Sequence, residues 1–138
     1  MKTWPIALAL VILSTSNASA ESVVVDTILR TTETSSGKPI TVPTHPELVV
    51  STFEIGPHTR LALHKHPYAR YAYVLDGAIT VEVQGGDRHR YVAGDVIVEV
   101  IDEWHVGITG EEAVKLLVID QAPSGKSNTV LWDGETPK

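Results

Sequence analysis

Beyond its first twenty residues this chain sets its apolar side chains in short, β-branched runs rather than at helical spacing, which leaves few folds open to it. The runs at 23–30, 48–54, 60–66, 70–75, 78–83, 90–93, 96–101, 105–109 and 114–120 each read as a strand. Gly56-Pro57, Asp76-Gly77, Gly85-Gly86-Asp87, Gly94-Asp95 and Gly110 separate them with turn chemistry. Many short antiparallel strands at this spacing predict an all-β sandwich or barrel with little helix. The Thr-, Ser- and Pro-rich stretch at 31–46 reads as an exposed connection or edge segment, and 129–132 can return as a short strand.

Residues 1–20 have the form of a cleaved signal peptide. Lys2 gives a positive start, 6–13 is an apolar run, and Ala18-Ser19-Ala20 has the small-x-small pattern that precedes cleavage. The run is too short to span the roughly 30 Å of bilayer hydrocarbon. The expectation is export to the periplasm or medium, with 21–138 as a single mature domain and no membrane span. Eleven Lys and Arg less Lys2 leave ten against seventeen Asp and Glu, a net charge of −7. That balance disfavours nucleic acid or an anionic membrane as partner, since either needs a basic face. With no cysteine, the fold relies on an ordinary core, and a thiol can serve neither as nucleophile nor as ligand.

His64 and His66 stand at i and i+2 in an alternating strand, so both imidazoles point to one face about 6–7 Å apart. A third histidine from a later strand, His105, would complete a set suited to Zn, Fe, Cu or Ni. On the following strand Arg70, Ala72 and Val74 share one face, while Tyr71, Tyr73 and Leu75 take the other and are expected to pack outside. His45, His58 and His89 lie in turn-rich or polar surroundings and read as solvated, and Trp104 as packing at a strand end.

Gly56, His64, His66 and the Tyr73-Val74-Leu75-Asp76-Gly77 ending, followed by Ala93-Gly94-Asp95 and Trp104-His105, resemble the two motifs of the cupin superfamily. The resemblance covers roughly residues 48–120. It implies an antiparallel jelly-roll β-barrel in which His64, His66 and His105 converge on one divalent metal ion (Fe, Zn, Mn, Ni or Cu), and a homodimer. Cupins with such a site include dioxygenases, isomerases and decarboxylases, so the fold does not select a reaction.

Two positions depart from the family pattern. Arg70 stands where the family carries a glutamate ligand, and Thr109 approximately where an asparagine is usual. An arginine stays protonated and cannot coordinate a metal. About 5 Å from a divalent ion its repulsion is on the order of 6–7 kcal/mol at an effective dielectric of 20. Arg70 therefore turns away, pairs with an acid such as Glu82 or Glu99, or acts as a catalytic clamp on a carboxylate of a bound molecule. Glu99 is a candidate replacement ligand or partner of Arg70. The expected function is that of an exported metal-binding protein acting on a small anionic organic molecule. The alternatives are a nonenzymatic module that binds a small ligand or metal, and an interaction domain that dimerises through an apolar edge such as 23–25.

Overall fold

The computed structural model describes residues 22–134, so the expected leader lies outside the described residues. Among the described residues eight strands form: β1 (Pro46–Ile55), β2 (His64–Lys65), β3 (Ala69–Val83), β4 (Arg88–Val92), β5 (Val96–Val98), β6 (His105–Ile108), β7 (Val114–Pro123) and β8 (Val130–Leu131). No helix occurs among the described residues. The strands follow the order β1-β7-β3-β6-β2-β8, with β4 and β5 each pairing with β3. All ladders between strands are antiparallel, and the sheet curls into the expected jelly-roll barrel.

β3 organises the molecule because it serves both halves of the curl. Its first half pairs with β5 and β7, and its second half with β4 and β6. The sequence predicts two strands here, separated by a turn at Asp76-Gly77; instead one strand runs through a corner. The register slips between Val74 and Asp76, and Gly77 adopts φ 73°. A Cβ there would stand 1.9 Å from the Ala113 carbonyl oxygen, so glycine alone lets the two backbones approach. The slip also reverses the alternation. Ala72 and Val74 are buried before the corner, and Ile79 and Val81 after it, as one extra residue requires.

β7 supplies the facing wall, with Val114, Leu116 and Val118 buried at every second position. Together with Ala72, Val74, Ile79, Val81 and Ile97 they form the core. Tyr71 and Tyr73 lie on the outer face of β3, as expected, half-buried opposite Val98 and Val96.

Two other expectations need correction. Residues 23–30 form no strand, and Val23, Val24 and Val25 are more than 80% exposed (85%, 88% and 83%). β-branched residues favour a strand only where a ladder and a packing surface exist, and this stretch has no ladder partner among the described residues. The run at 60–66 shortens to β2. Its earlier part follows β6 through isolated contacts, an Arg60–Ile108 bridge and a Leu61 N–H to Gly107 carbonyl bond.

Candidate metal centre

The barrel brings the three predicted histidines together. His64 on β2 lies opposite His105 on β6, and His66, just past β2, bridges to Ile101. The ring centroids are 4.4–4.9 Å apart. One nitrogen from each ring falls within 4.8 Å of the other two. His66 and His105 are buried, and His64 is half-buried.

Backbone carbonyls fix how these rings face. Nδ1 of His64 donates to Ala62 O at 2.8 Å, Nδ1 of His66 to Asn128 O at 2.7 Å, and Nδ1 of His105 to Glu103 O at 2.8 Å. A carbonyl oxygen can only accept, so each Nδ1 carries the proton and each Nε2 is left with a lone pair. Burial keeps all three rings neutral by holding their pKa values below the ordinary imidazole range. His66 falls to about 2, through burial first and the Arg70 charge second. Three neutral imidazoles, two buried and one half-buried, with their tautomers set from behind form the donor set that divalent transition metals take.

Arg70 does enter the cavity, but neither Glu82 nor Glu99 is its bidentate partner. That partner is Asp120, directly opposite on β7. Nε donates to Oδ1 at 2.7 Å and Nη2 to Oδ2 at 3.0 Å. The guanidinium also lies 5.7 Å from the centre of the Phe53 ring. Glu82 sits on the outside, within ion-pair distance of Arg60 and Arg88. Glu99 lines the cavity with the histidines, its side chain 12% exposed and its pKa raised by burial.

Two site residues escaped the sequence reading. Asp120 was legible in principle, because it continues the inward parity of Val114, Leu116 and Val118, and an acid on a buried face needs a counter-charge. Asn128 carried no signal. Its side-chain amide donates to Asp120 Oδ1 at 2.6 Å and to Ala69 O at 3.2 Å, while its Oδ1 accepts from Tyr68 N at 2.9 Å. Its own carbonyl is the one that orients His66. Asn128 thus joins the Arg70–Asp120 pair to the histidine set.

The other candidates lie elsewhere. Thr109 closes the turn at 56–59, donating to Gly56 O at 2.6 Å and accepting from Thr59 N at 2.9 Å. His58 is exposed beside Glu111, His89 is exposed, and Trp104 packs edge-on against Trp132. The cavity itself is small, about 50 Å³, with walls that include Phe53, Leu61, Val81 and Leu116.

The description "Cupin domain" fits residues 51–120, just over half of the chain. Solved structures of similar fold include the polyketide cyclase RemF from Streptomyces resistomycificus, 22% identical over 63% of each chain with a TM-score of 0.53. The DMSP lyase DddQ from Ruegeria pomeroyi is 20% identical over 64% of this chain and 45% of its own, with a TM-score of 0.56. A cupin-2 domain from Rhodospirillum rubrum is 20% identical over 63% of this chain and 57% of its own, with a TM-score of 0.54. The aligned part is less than two thirds of each of these proteins, and at these identities the likeness is one of fold. No curated protein sequence matches the chain.

Proposed function

This chain belongs to the cupin family, and from that premise we propose that it is an exported protein that holds a divalent metal ion on His64, His66 and His105 and acts on a small anionic organic molecule. The observation that carries this reading is the convergence of one nitrogen from each of three imidazoles, each ring oriented by a carbonyl that accepts from its Nδ1. Three protein nitrogens leave coordination positions open, as a catalytic site requires and a closed structural site does not. A metal bound there would supply Lewis acidity or a means of activating dioxygen.

The protein's own groups would then bind and orient. The apolar walls exclude water, which strengthens every charge interaction inside. Arg70 puts positive charge beside the histidines and favours an anionic group at that end of the cavity. At roughly 10–15 Å³ per accommodated water, the cavity has room for an ion and a few light atoms. One head group of a substrate, such as a carboxylate, fits that space better than a whole ring system. The named neighbours include a cyclase and a lyase, so the likeness leaves the reaction type open.

The test is metal analysis of the purified mature protein beside His64→Ala and His105→Ala. Close to one equivalent is expected in the parent and little in either variant. Less than about a tenth of an equivalent after reconstitution would overturn the reading, because affinity rests on those ligands.

A second reading, a binding module without turnover, is favoured by the Arg70–Asp120 pair. Nε and Nη2 of Arg70 are both engaged by an internal acid, which leaves less of the guanidinium to steer a substrate. A bound small carboxylate recovered unchanged after aerobic and anaerobic incubation would support it over catalysis. A homodimer belongs to either reading, supported by the exposed Leu48, Val49 and Val50 on the sheet-edge strand β1. A monomeric mass at high micromolar concentration would contradict it.

A further inference from the structure

Among the described residues two buried side-chain polar atoms have no hydrogen-bond partner, and they face each other: Glu99 Oε2 and His105 Nε2, 3.7 Å apart. Native folds rarely leave even one such atom, and a bound ion is among the ordinary explanations. The pair is too far apart for a hydrogen bond. With Nδ1 of His105 protonated, His105 Nε2 and an ionised Glu99 would moreover both be acceptors. A water donating to both would need them roughly 4–5 Å apart. Two donors each about 2.1 Å from one metal ion stand roughly 3–4 Å apart, which matches the separation observed.

We propose, building on the metal-binding reading above, that Glu99 is the carboxylate ligand of this centre, delivered by the segment beside β3 rather than by β3 itself. Glu99 N donates to Arg70 O at 3.0 Å, one rung beyond the Tyr71–Val98 pair, so Glu99 stands across from Arg70. Asp120 stands across from Arg70 on the other side. Three adjacent segments thus carry acid, base and acid in one row. Arg70 gives Nε and Nη2 to Asp120, and Glu99 Oε2 stays unclaimed beside His105 Nε2, outside the three-nitrogen group itself. The carboxylate has moved one strand over, and the arginine in its former place is neutralised from β7. With Glu99 ligated and ionised, a divalent ion and these three side chains sum to roughly +1 rather than +2, a charge matched by one monoanionic group.

The test uses Co(II) as probe on the full folded protein, with affinity read by competition against a chelator and coordination read from the visible d–d bands. Glu99→Gln keeps the shape and removes the charge. It is expected to weaken Co(II) binding about 10–100-fold and to shift the bands. Its metal-free form should melt higher than the parent by a few degrees, since a buried carboxylate with an unpartnered oxygen is gone. Glu99→Asp, one methylene shorter, should give intermediate affinity with altered bands. Parental affinity in Glu99→Gln would overturn the proposal, as would weaker binding with unchanged bands, which would put Glu99 outside the coordination sphere. In either of those cases loss of binding in His105→Ala would leave the three-histidine reading standing. No Co(II) uptake by the parent would overturn both.

Discussion

Arg70 and Asp120 meet across β3 and β7 in a two-point contact, at 2.7 and 3.0 Å, inside a barrel whose other inward residues on those strands are mostly apolar. Each side chain is little exposed, 11% and 12%. Removing one partner strands the other charge in a poorly solvated place. Asp120→Ala should therefore lower stability by about 3–5 kcal/mol. Replacing both by apolar residues, Arg70→Met with Asp120→Leu, should lose much less. Urea unfolding of the single and double variants at neutral pH measures the difference, and equal losses would contradict the pairing.

Asn128 holds three side-chain hydrogen bonds in a buried position, one of them to a carboxylate. Asn128→Ala should lower stability by about 2–4 kcal/mol. Because its backbone carbonyl orients His66, the same change should weaken metal binding about 10–100-fold without removing a ligand. Isothermal titration with Zn(II) beside thermal unfolding separates the two effects, and unaltered affinity would mean that the carbonyl keeps its place without the side chain.

Gly77 is held at φ 73° with the Ala113 carbonyl where a Cβ would go. Gly77→Ala should cost about 3 kcal/mol or more, through strain and forced separation of β3 from the start of β7. Gly85, also at positive φ but with open space around it, should tolerate alanine with a smaller loss. Comparable losses at the two positions, read from chemical denaturation, would show that backbone conformation matters and the close approach does not.

A metal that binds only the folded chain should raise its unfolding temperature by mass action. At a free concentration about a hundred times the dissociation constant the gain is about 2.7 kcal/mol. Differential scanning calorimetry with and without Zn(II) should register it, a chelator should reverse it, and His64→Ala should abolish it. An identical shift in His64→Ala would move the binding site elsewhere.

What the sequence made legible was mostly local. His64 and His66 share a face because a strand repeats every two residues, and Arg70, Ala72 and Val74 share one by the same rule, although the rule does not say which face is the inner one. The rule fails where the backbone breaks period. Asp76-Gly77 has the composition of a turn, and only the approach of Ala113 makes it a corner within one strand. Residues 23–30 have strand composition without a ladder to join among the described residues. Asp120 could have been found by extending parity along β7, whereas Asn128 depends on where a loop comes to rest, which no local pattern encodes.

That loop also comes late in the chain. Asn128 lies beyond β7, and β8, which follows it, seals against His64 and Lys65. A nascent chain that ends at Asp120 already contains every proposed ligand yet lacks the carbonyl that aims the second imidazole. Orientation of His66 thus depends on a segment that follows every proposed ligand in the chain.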